Sequence, residues 1–508
     1  MKRLTHTGEI EQTWRELAAR LDAHGEWFCT ARERSAPVSL RKGEWELSAA
    51  HGRIHLAYWT ERGLRTWRVL AWETVQERLR LDVARRMGAE RTTLELVPRA
   101  SVRAGIEAVR AARVRLCEQL ATLACAHLAG GQVERVRLSA GARRNEPGRY
   151  ARIVLRRGRE LVAVTGAVVE AHARDMDTLL TSALIWWLRL QRQTRFAGLR
   201  KLWLVVAHEL TEALGERVAL LRAEVRHDIT LYERDETWQT LTPAQAPELA
   251  TLLAAAPREL RSVRAGLSET AARIVALAPA AIDVVRARYG ETLRFHGLAF
   301  ARVRRTIERE HVWFGTSTRR LLTEENWPEL AKLLDELNTH RTFAAPDRRH
   351  ALYAAAPEAW LESLLRRRIT QLDPGLILAP LHAQFRPAQA ARTSTRPVDL
   401  LALRRDGRLV VIELKISEDA TLALQGADYW RRVEAHRRAG HIARAHLFGA
   451  LAIADESPLV YLVAPVFRFH RAFPTLARAI TPKIELYRFD LNEDWRAGVR
   501  VVRRTRAN

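Results

Sequence analysis

Cysteine is nearly absent: Cys29, Cys117 and Cys125 are the only three in 508 residues. An odd number with no Cys-x-x-Cys pair argues against a disulfide framework, a zinc ribbon and an iron–sulfur cluster, and reducing surroundings fit. Long apolar runs are missing as well. The most apolar stretch, Leu179 to Leu188, is about half the ~20 residues of a spanning helix, and Met1 to His6 holds no apolar signal core. The sequence therefore predicts a cytoplasmic protein without membrane contact. Lysine is scarce, at six positions (2, 42, 201, 332, 415 and 483) among 83 Lys+Arg. The remaining basic residues are arginines and outweigh 59 Asp+Glu, for a net charge of +24. Such an excess favours a polyanionic partner, because arginines that neutralise phosphates release counterions. No Gly-x-x-x-x-Gly-Lys-Ser/Thr loop occurs, so ATP-driven unwinding would need a helicase or another protein as partner.

At 508 residues, 47% of them apolar, the chain is too long for one ordinary domain and can bury several cores. Residues 1–125 read as a mixed α/β domain of unknown role, with strands at Trp45–Ser48 and Gly52–Trp59 and helical spacing over Val75–Met87 and Ile106–Leu128. Residues 126–240 read as strands at Val133–Leu138, Tyr150–Leu155, Glu160–Val164 and Leu202–Val206 around a helix at Leu179–Leu190. Residues 241–345 are rich in alanine and leucine and predict a helical linker domain. Residues 346–508 alternate helix and strand again, with Ala344-Ala345-Pro346 as the linker. The expected class is α/β, multidomain. Fifteen tryptophans are present. Trp186, Trp187 and Trp430 lie on amphipathic helices and read as core, since base stacking would need an exposed ring beside arginine. Cys117 and Cys125, eight apart on a helix, receive no role.

The informative segment runs from Arg396 to Lys415. Two apolar runs flank Asp406-Gly407, a strong β-hairpin signal. A three-residue loop, Arg405-Asp406-Gly407, pairs Arg404 with Arg408 and sets Asp399 directly across from Glu413. Their Cβ atoms would then be roughly 5 Å apart, with Lys415 on the same face. A two-residue loop would send the two carboxylates to opposite faces; the three-residue loop is the expectation. Two carboxylates so placed repel unless a divalent cation joins them. Asp399 and Glu413 offer hard oxygens suited to Mg²⁺, with Mn²⁺ as the alternative, and water and a substrate phosphate complete the shell. Lys415 could hold or deprotonate the attacking water and offset charge on the phosphorane.

Asp399 followed by Glu413-Leu414-Lys415 on adjacent strands resembles the PD-(D/E)XK nuclease superfamily, with its restriction-endonuclease-like fold. That resemblance implies a mixed sheet flanked by helices and Mg²⁺-dependent phosphodiester hydrolysis, with Asp399, Glu413 and the Leu414 backbone as metal ligands. Downstream, Gln425-Gly426-Ala427-Asp428-Tyr429 matches the Gln-x-x-x-Tyr motif of the RecB-like branch. Gln425, Tyr429, Arg432 and His436 share one helical stripe. Upstream, Glu362 in Trp360–Leu365 looks like the family's helix-borne acid, and His382 is a candidate for the metal-binding histidine of some relatives. The proline stands two residues before Asp399 rather than beside it, and the iron–sulfur cysteines of other relatives are missing. The resemblance covers roughly 355–470.

The middle segment repeats this pattern. Aligned on spacing, Ala151 stands where Asp399 does, Thr165 where Glu413 does and Ala167 where Lys415 does, so 126–240 reads as a degenerate nuclease-like copy without its charges. The leading expectation is a metal-dependent nuclease acting on DNA, with RNA less favoured. The alternative is a non-catalytic nucleic-acid-binding or scaffolding protein. Repair, recombination and anti-phage defence all fit, endo- and exonuclease action are both open, and a homo-oligomer is compatible with either.

Overall fold

The computed structural model describes residues 2–3, 7–31, 38–50, 52–60, 63–75, 77–85, 90–99, 102–141, 147–235, 237–255, 257, 260, 266–287, 290–305, 310–377 and 398–508. It is a mixed α/β multidomain protein with four sheets: two mixed sheets flanked by helices and two curled antiparallel half-barrels. The chain falls into two compact units, one of residues 1–172, 190–211 and 229–244, the other of residues 173–189, 212–228 and 245–508. Among the described residues, no helix is long and apolar enough to cross a membrane.

The first half-barrel has eight strands within residues 2–98 and closes over Trp27, Leu56, Trp67, Leu81 and Leu94, with Leu17 and Leu21 of the helix Thr7–Asp22 packed inside. The helical reading of Val75–Met87 fails here. Arg78–Arg85 is a strand whose Leu79, Leu81 and Val83 are buried at period two.

A helix and a mixed sheet follow. Helix α1 (Val102–His127) precedes strands β1 (Gln132–Ala140), β2 (Pro147–Arg157) and β3 (Glu160–Gly166). After helix α2 (Met176–Gln191) come β4 (Leu199–Ala207), helix α3 (His208–Val218), β5 (Ile229–Arg234) and β6 (Leu241–Ala244). The strands lie in sequential order; β1/β2, β2/β3 and β5/β6 are antiparallel, β3/β4 and β4/β5 parallel. On one face Cys117, Leu120 and Ala124 of α1 pack on Ile153, Val164 and Val205. Both helix cysteines are structural: Cys117 Sγ donates to the Arg137 carbonyl and Cys125 Sγ to that of Gly131.

The helical expectation for 241–345 fails over 282–321, which form the second half-barrel. Its strands Ile282–Ala287, Gly290–Phe295, Leu298–Arg305, Glu310–Phe314 and Arg320–Leu321 pair in sequential antiparallel order. Among the described residues, helices occur only at its flanks, chiefly Glu269–Leu277 and Trp327–His340. Leu293, Phe295, Phe300, Val303, Val312 and Phe314 point inward. Nor is 344–346 a loose linker, because Ala345 lies buried in the core of the next domain. Just before it, the fully buried Arg341 donates to the carbonyls of Phe295, His296, Leu352, Ala355 and Ala356 at 2.7–3.3 Å. Burial and the nearby Arg496 pull its pKa down to about 9.

The last domain repeats the middle one in element order. Helix α4 (Pro357–Arg367) precedes β7 (Leu376–Ile377), β8 (Leu400–Arg404) and β9 (Leu409–Leu414). After helix α5 (Leu422–Arg438) come β10 (Leu459–Pro465), helix α6 (Phe473–Ala479), β11 (Leu486–Leu491) and β12 (Val501–Arg506). Strand order and directions match the middle sheet rung for rung: antiparallel, antiparallel, parallel, parallel, antiparallel. The repeated unit begins with a helix in both cases, so α1 is the counterpart of α4.

Candidate active site

Register builds the site. Strand β9 reads Leu-Val-Val-Ile-Glu-Leu and is buried throughout, as expected of a strand covered on both faces. It pairs Leu400 with Ile412, Ala402 with Val410 and Leu403 with Leu409. Arg404 N–H donates to the Arg408 carbonyl at 2.9 Å and Gly407 N–H to that of Arg404 at 3.0 Å, closing the three-residue loop. Gly407 has φ +81°, which favours a residue without Cβ. One rung beyond Leu400/Ile412, Asp399 therefore faces Glu413. The next backbone amide, Leu414 N–H, donates to Asp399 Oδ2 at 2.8 Å, and Lys415 Nζ donates to Glu413 Oε1 at 2.7 Å.

Sheet alternation distributes the neighbours. Trp360, Leu361 and Leu365 of α4 pack with Leu400, Val410, Ile412, Tyr461 and Val463 on one face. Helix α5 covers the face that carries Glu413. Gly426 permits its close approach, since a Cβ there would lie 2.6 Å from Leu462 Cδ2 and 3.0 Å from Val460 Cγ1. Gln425 and Tyr429, on either side of that contact, are buried.

The electrostatics are those of crowded carboxyls. Glu413 is 1% exposed; burial, then the adjacent Asp399, push its pKa well above the ordinary carboxylate range, with Lys415 opposing. Burial likewise raises Asp399 against the pull of Lys415 and the Leu414 amide. Burial works against the Lys415 ammonium, but Glu413 and Asp399 outweigh it and raise its pKa. Tyr429 is raised by burial and then by the same two carboxylates, which places its ring within their field.

The other sequence candidates divide. Glu362 is buried and pairs with Arg294 of the half-barrel at 3.5 Å. Burial lifts its pKa to about 7 against Arg294, with a further rise from Asp399, so it borders the site without joining the dyad. Sequence reasoning missed Glu358, one helical turn earlier on the same face. As a residue it is exposed, yet its carboxyl head lies among protein atoms beside Lys415, Asp399 and the Ile416 amide, and burial raises its pKa. The signal was available in the i, i+4 spacing of Glu358 and Glu362. Arg432 is turned to Asp428, and His436 to His441 at 3.1 Å between their Nδ1 atoms; burial drops His436 to about 4. His382, Arg396 and Pro397 lie outside the described residues. Trp187 and Trp430 are core, and Trp430 Nε1 donates to the Pro458 carbonyl at 2.9 Å.

Helix α5 is held from behind by a buried network that the sequence reading left out. Arg217 bridges Asp177 at 3.2 Å and Asp428 at 3.3 Å, while Arg431 bridges Asp428 at 2.8 Å and Glu216 at 3.0 Å. With Arg432 this makes three cations against three anions. Asp428 is consequently held well below the carboxylate range: burial would raise it, but Arg217, Arg432 and Arg431 prevail.

A divalent cation fits the dyad on one observation above all. Glu413 Oε2 is buried with no donor other than a proton shared with Asp399; once both carboxyls are ionised neither has a donor to offer the other, and a cation can take that place. Among the described residues, no group of three or more His, Cys, Asp or Glu side chains is arranged to hold a metal. A cation here would therefore take two carboxylates and the Leu414 carbonyl, the sparse protein shell typical of Mg²⁺.

The middle sheet departs from the expected superposition. Its hairpin has a two-residue turn, Gly158-Arg159, with Arg157 opposite Glu160 and Ile153 opposite Val164. Ala151 thus faces Gly166 rather than Thr165, one residue out of the C-terminal register. The Thr165 hydroxyl donates to the Ala151 carbonyl at 2.7 Å, filling the space with an internal hydrogen bond. Neither register places an acid there. Comparison with protein-family models, curated proteins and solved structures finds no match for this chain.

Proposed function

We propose that the C-terminal domain is a Mg²⁺-dependent nuclease of the PD-(D/E)XK type, acting on DNA, and that the middle domain is its non-cleaving counterpart. The observation that carries the reading is the Asp399/Glu413 dyad: Asp399 half-buried, Glu413 buried with no donor to its Oε2 other than a proton shared with Asp399, and Lys415 on the same face. Asp399, Glu413 and the Leu414 carbonyl would hold the cation, which when bound supplies the positive charge that polarises a phosphodiester. Lys415 has a raised pKa and stays protonated at neutral pH. An ammonium has three donors and no acceptor, so of the two roles open to it, charge stabilisation at the phosphorane is favoured over proton abstraction. Tyr429 and Gln425 line the α5 side, where the buried, unpartnered Gln425 Oε1 is an open acceptor. In the middle domain, Ala151, Thr165 and Gly166 offer no cation site, which favours binding without turnover there. The test is cleavage of linear, circular and single-stranded DNA, and of RNA, with Mg²⁺ or Mn²⁺ and with chelator. The native protein should cut in a metal-dependent way, whereas Glu413→Gln and Lys415→Ala, melting normally, should not. A folded native protein that binds these substrates and cuts none of them would leave only the binding reading.

A further inference from the structure

We infer that Phe467 is a base-stacking contact that directs the nuclease site toward DNA with an unpaired strand; this rests on the nucleic-acid reading above and names its substrate class. A solitary exposed apolar side chain is ordinary on protein surfaces. Three observations set this one apart. First, Phe467 is 76% exposed, more than any other large apolar side chain among the described residues. Second, its backbone is fixed: Val466 N–H donates to the Leu491 carbonyl at 2.9 Å, Arg468 N–H to that of Pro465 at 2.9 Å, and Phe467 N–H to Glu493 Oε1 at 3.2 Å. The ring is thus presented by a turn tied at three consecutive residues, and ordering it on binding costs little. Third, its place is at the catalytic end of the sheet. Strand β10 runs parallel to β9, Leu414 pairs with Val463, and Lys415 N–H donates to the Val463 carbonyl at 2.9 Å. The turn opens two residues farther along, where the carboxyl ends of parallel strands present ligand sites.

The surroundings suit a nucleic acid strand. Arg468 and Arg471 follow Phe467 within four residues and are exposed, with Glu493 3.8 Å from Arg468 as the local acid. Behind them Phe469 packs edge-on against Phe473, and the Arg488 guanidinium lies 4.1 Å over Phe469, giving the loop a rigid floor. An aromatic face beside arginines on a backbone-tracking surface is the pattern of single-strand recognition. None of the core tryptophans meets that exposure requirement. Bases inside a duplex already have both faces covered, and wedging a ring between them costs a few kcal/mol of unstacking, so a ring on a fixed backbone stacks most readily on a base at an end, a flap or a single strand.

Fluorescence anisotropy of the full chain in chelator, with a labelled single-stranded oligodeoxynucleotide and a labelled, covalently closed duplex circle of the same sequence, which has no ends, tests this. Phe467→Ala should bind the single strand about 5- to 150-fold more weakly and the duplex essentially as the native protein does. Phe467→Trp should keep the affinity, and 2-aminopurine in the single strand should be quenched by the native protein and not by Phe467→Ala. Equal single-strand affinity of Phe467→Ala and the native protein, with the quench unchanged, would overturn the inference while leaving the nuclease reading intact. A native protein that binds neither oligonucleotide would remove both.

Discussion

The dyad makes a prediction about stability that does not depend on finding a substrate. In Asp399→Asn the amide oxygen can still accept the Leu414 N–H held at 2.8 Å, and Glu413 keeps Lys415 at 2.7 Å. What disappears is one of two opposed carboxyl charges, that of the half-buried Asp399. With the two charges about 4 Å apart and an effective dielectric of about 20, their repulsion is ~4 kcal/mol. The lost attraction between Asp399 and Lys415 offsets part of it, leaving the variant more stable than the native protein by ~1–2 kcal/mol at pH 8 in chelator. The sign follows from the raised folded-state pKa values of both carboxyls. Their contribution is present below the ordinary carboxylate range and is lost as pH rises through the folded values. The advantage of the variant should therefore shrink toward zero by about pH 3, where the carboxyls are largely protonated in both folded and unfolded chains. Mg²⁺ reverses the order at pH 8, because it stabilises only the protein that retains both ligands. Thermal melts from about pH 3 to 8, with chelator and with Mg²⁺, measure this. A variant that melts below the native protein at pH 8 in chelator, or that gains as much from Mg²⁺, would refute the reasoning.

Two further outcomes follow from packing and register. Arg341→Met leaves five carbonyls without their donor and should cost at least ~3 kcal/mol in urea unfolding; a loss below ~1 kcal/mol would mean that the clasp contributes little. Installing acids and lysine in the middle domain, as Ala151→Asp, Thr165→Glu and Ala167→Lys together in a Lys415→Ala background, should not restore metal-dependent cutting, because the two-residue turn sets Ala151 across from Gly166. Recovered cleavage would show that register is not the obstacle.

The C-terminal hairpin was legible because its signals are local: two apolar runs, an Asp-Gly turn and a Gly that tolerates positive φ. The same signals, read by spacing alone, misaligned the middle copy by one residue. Equal separations of 14 between Ala151 and Thr165 and between Asp399 and Glu413 conceal turns of two and three residues. The second half-barrel was hidden by composition. Alanine and leucine dominate 241–345, yet within it Leu293 and Phe295, Ala301 and Val303, and Val312 and Phe314 fall at period two on the buried face of their strands. The strand Arg78–Arg85 was misread for the same reason, a short alternation inside an Arg- and Leu-rich run. Glu358 and the Asp428 network needed tertiary contacts: which face of α4 meets Lys415, and which residues of α3 meet α5, are decided by packing between elements distant in sequence.

The claim that Asp399 and Glu413 together bring a cation against a phosphodiester is tested most directly by single-turnover cleavage of a single-stranded DNA whose non-bridging phosphate oxygens are replaced by sulfur. Sulfur is a poor ligand for Mg²⁺ and a better one for softer cations. The account predicts cutting that is slow in Mg²⁺, recovers in Mn²⁺, and is absent with Glu413→Gln in either metal. Cutting that ignores chelator, or that survives Glu413→Gln at the native rate, would contradict it.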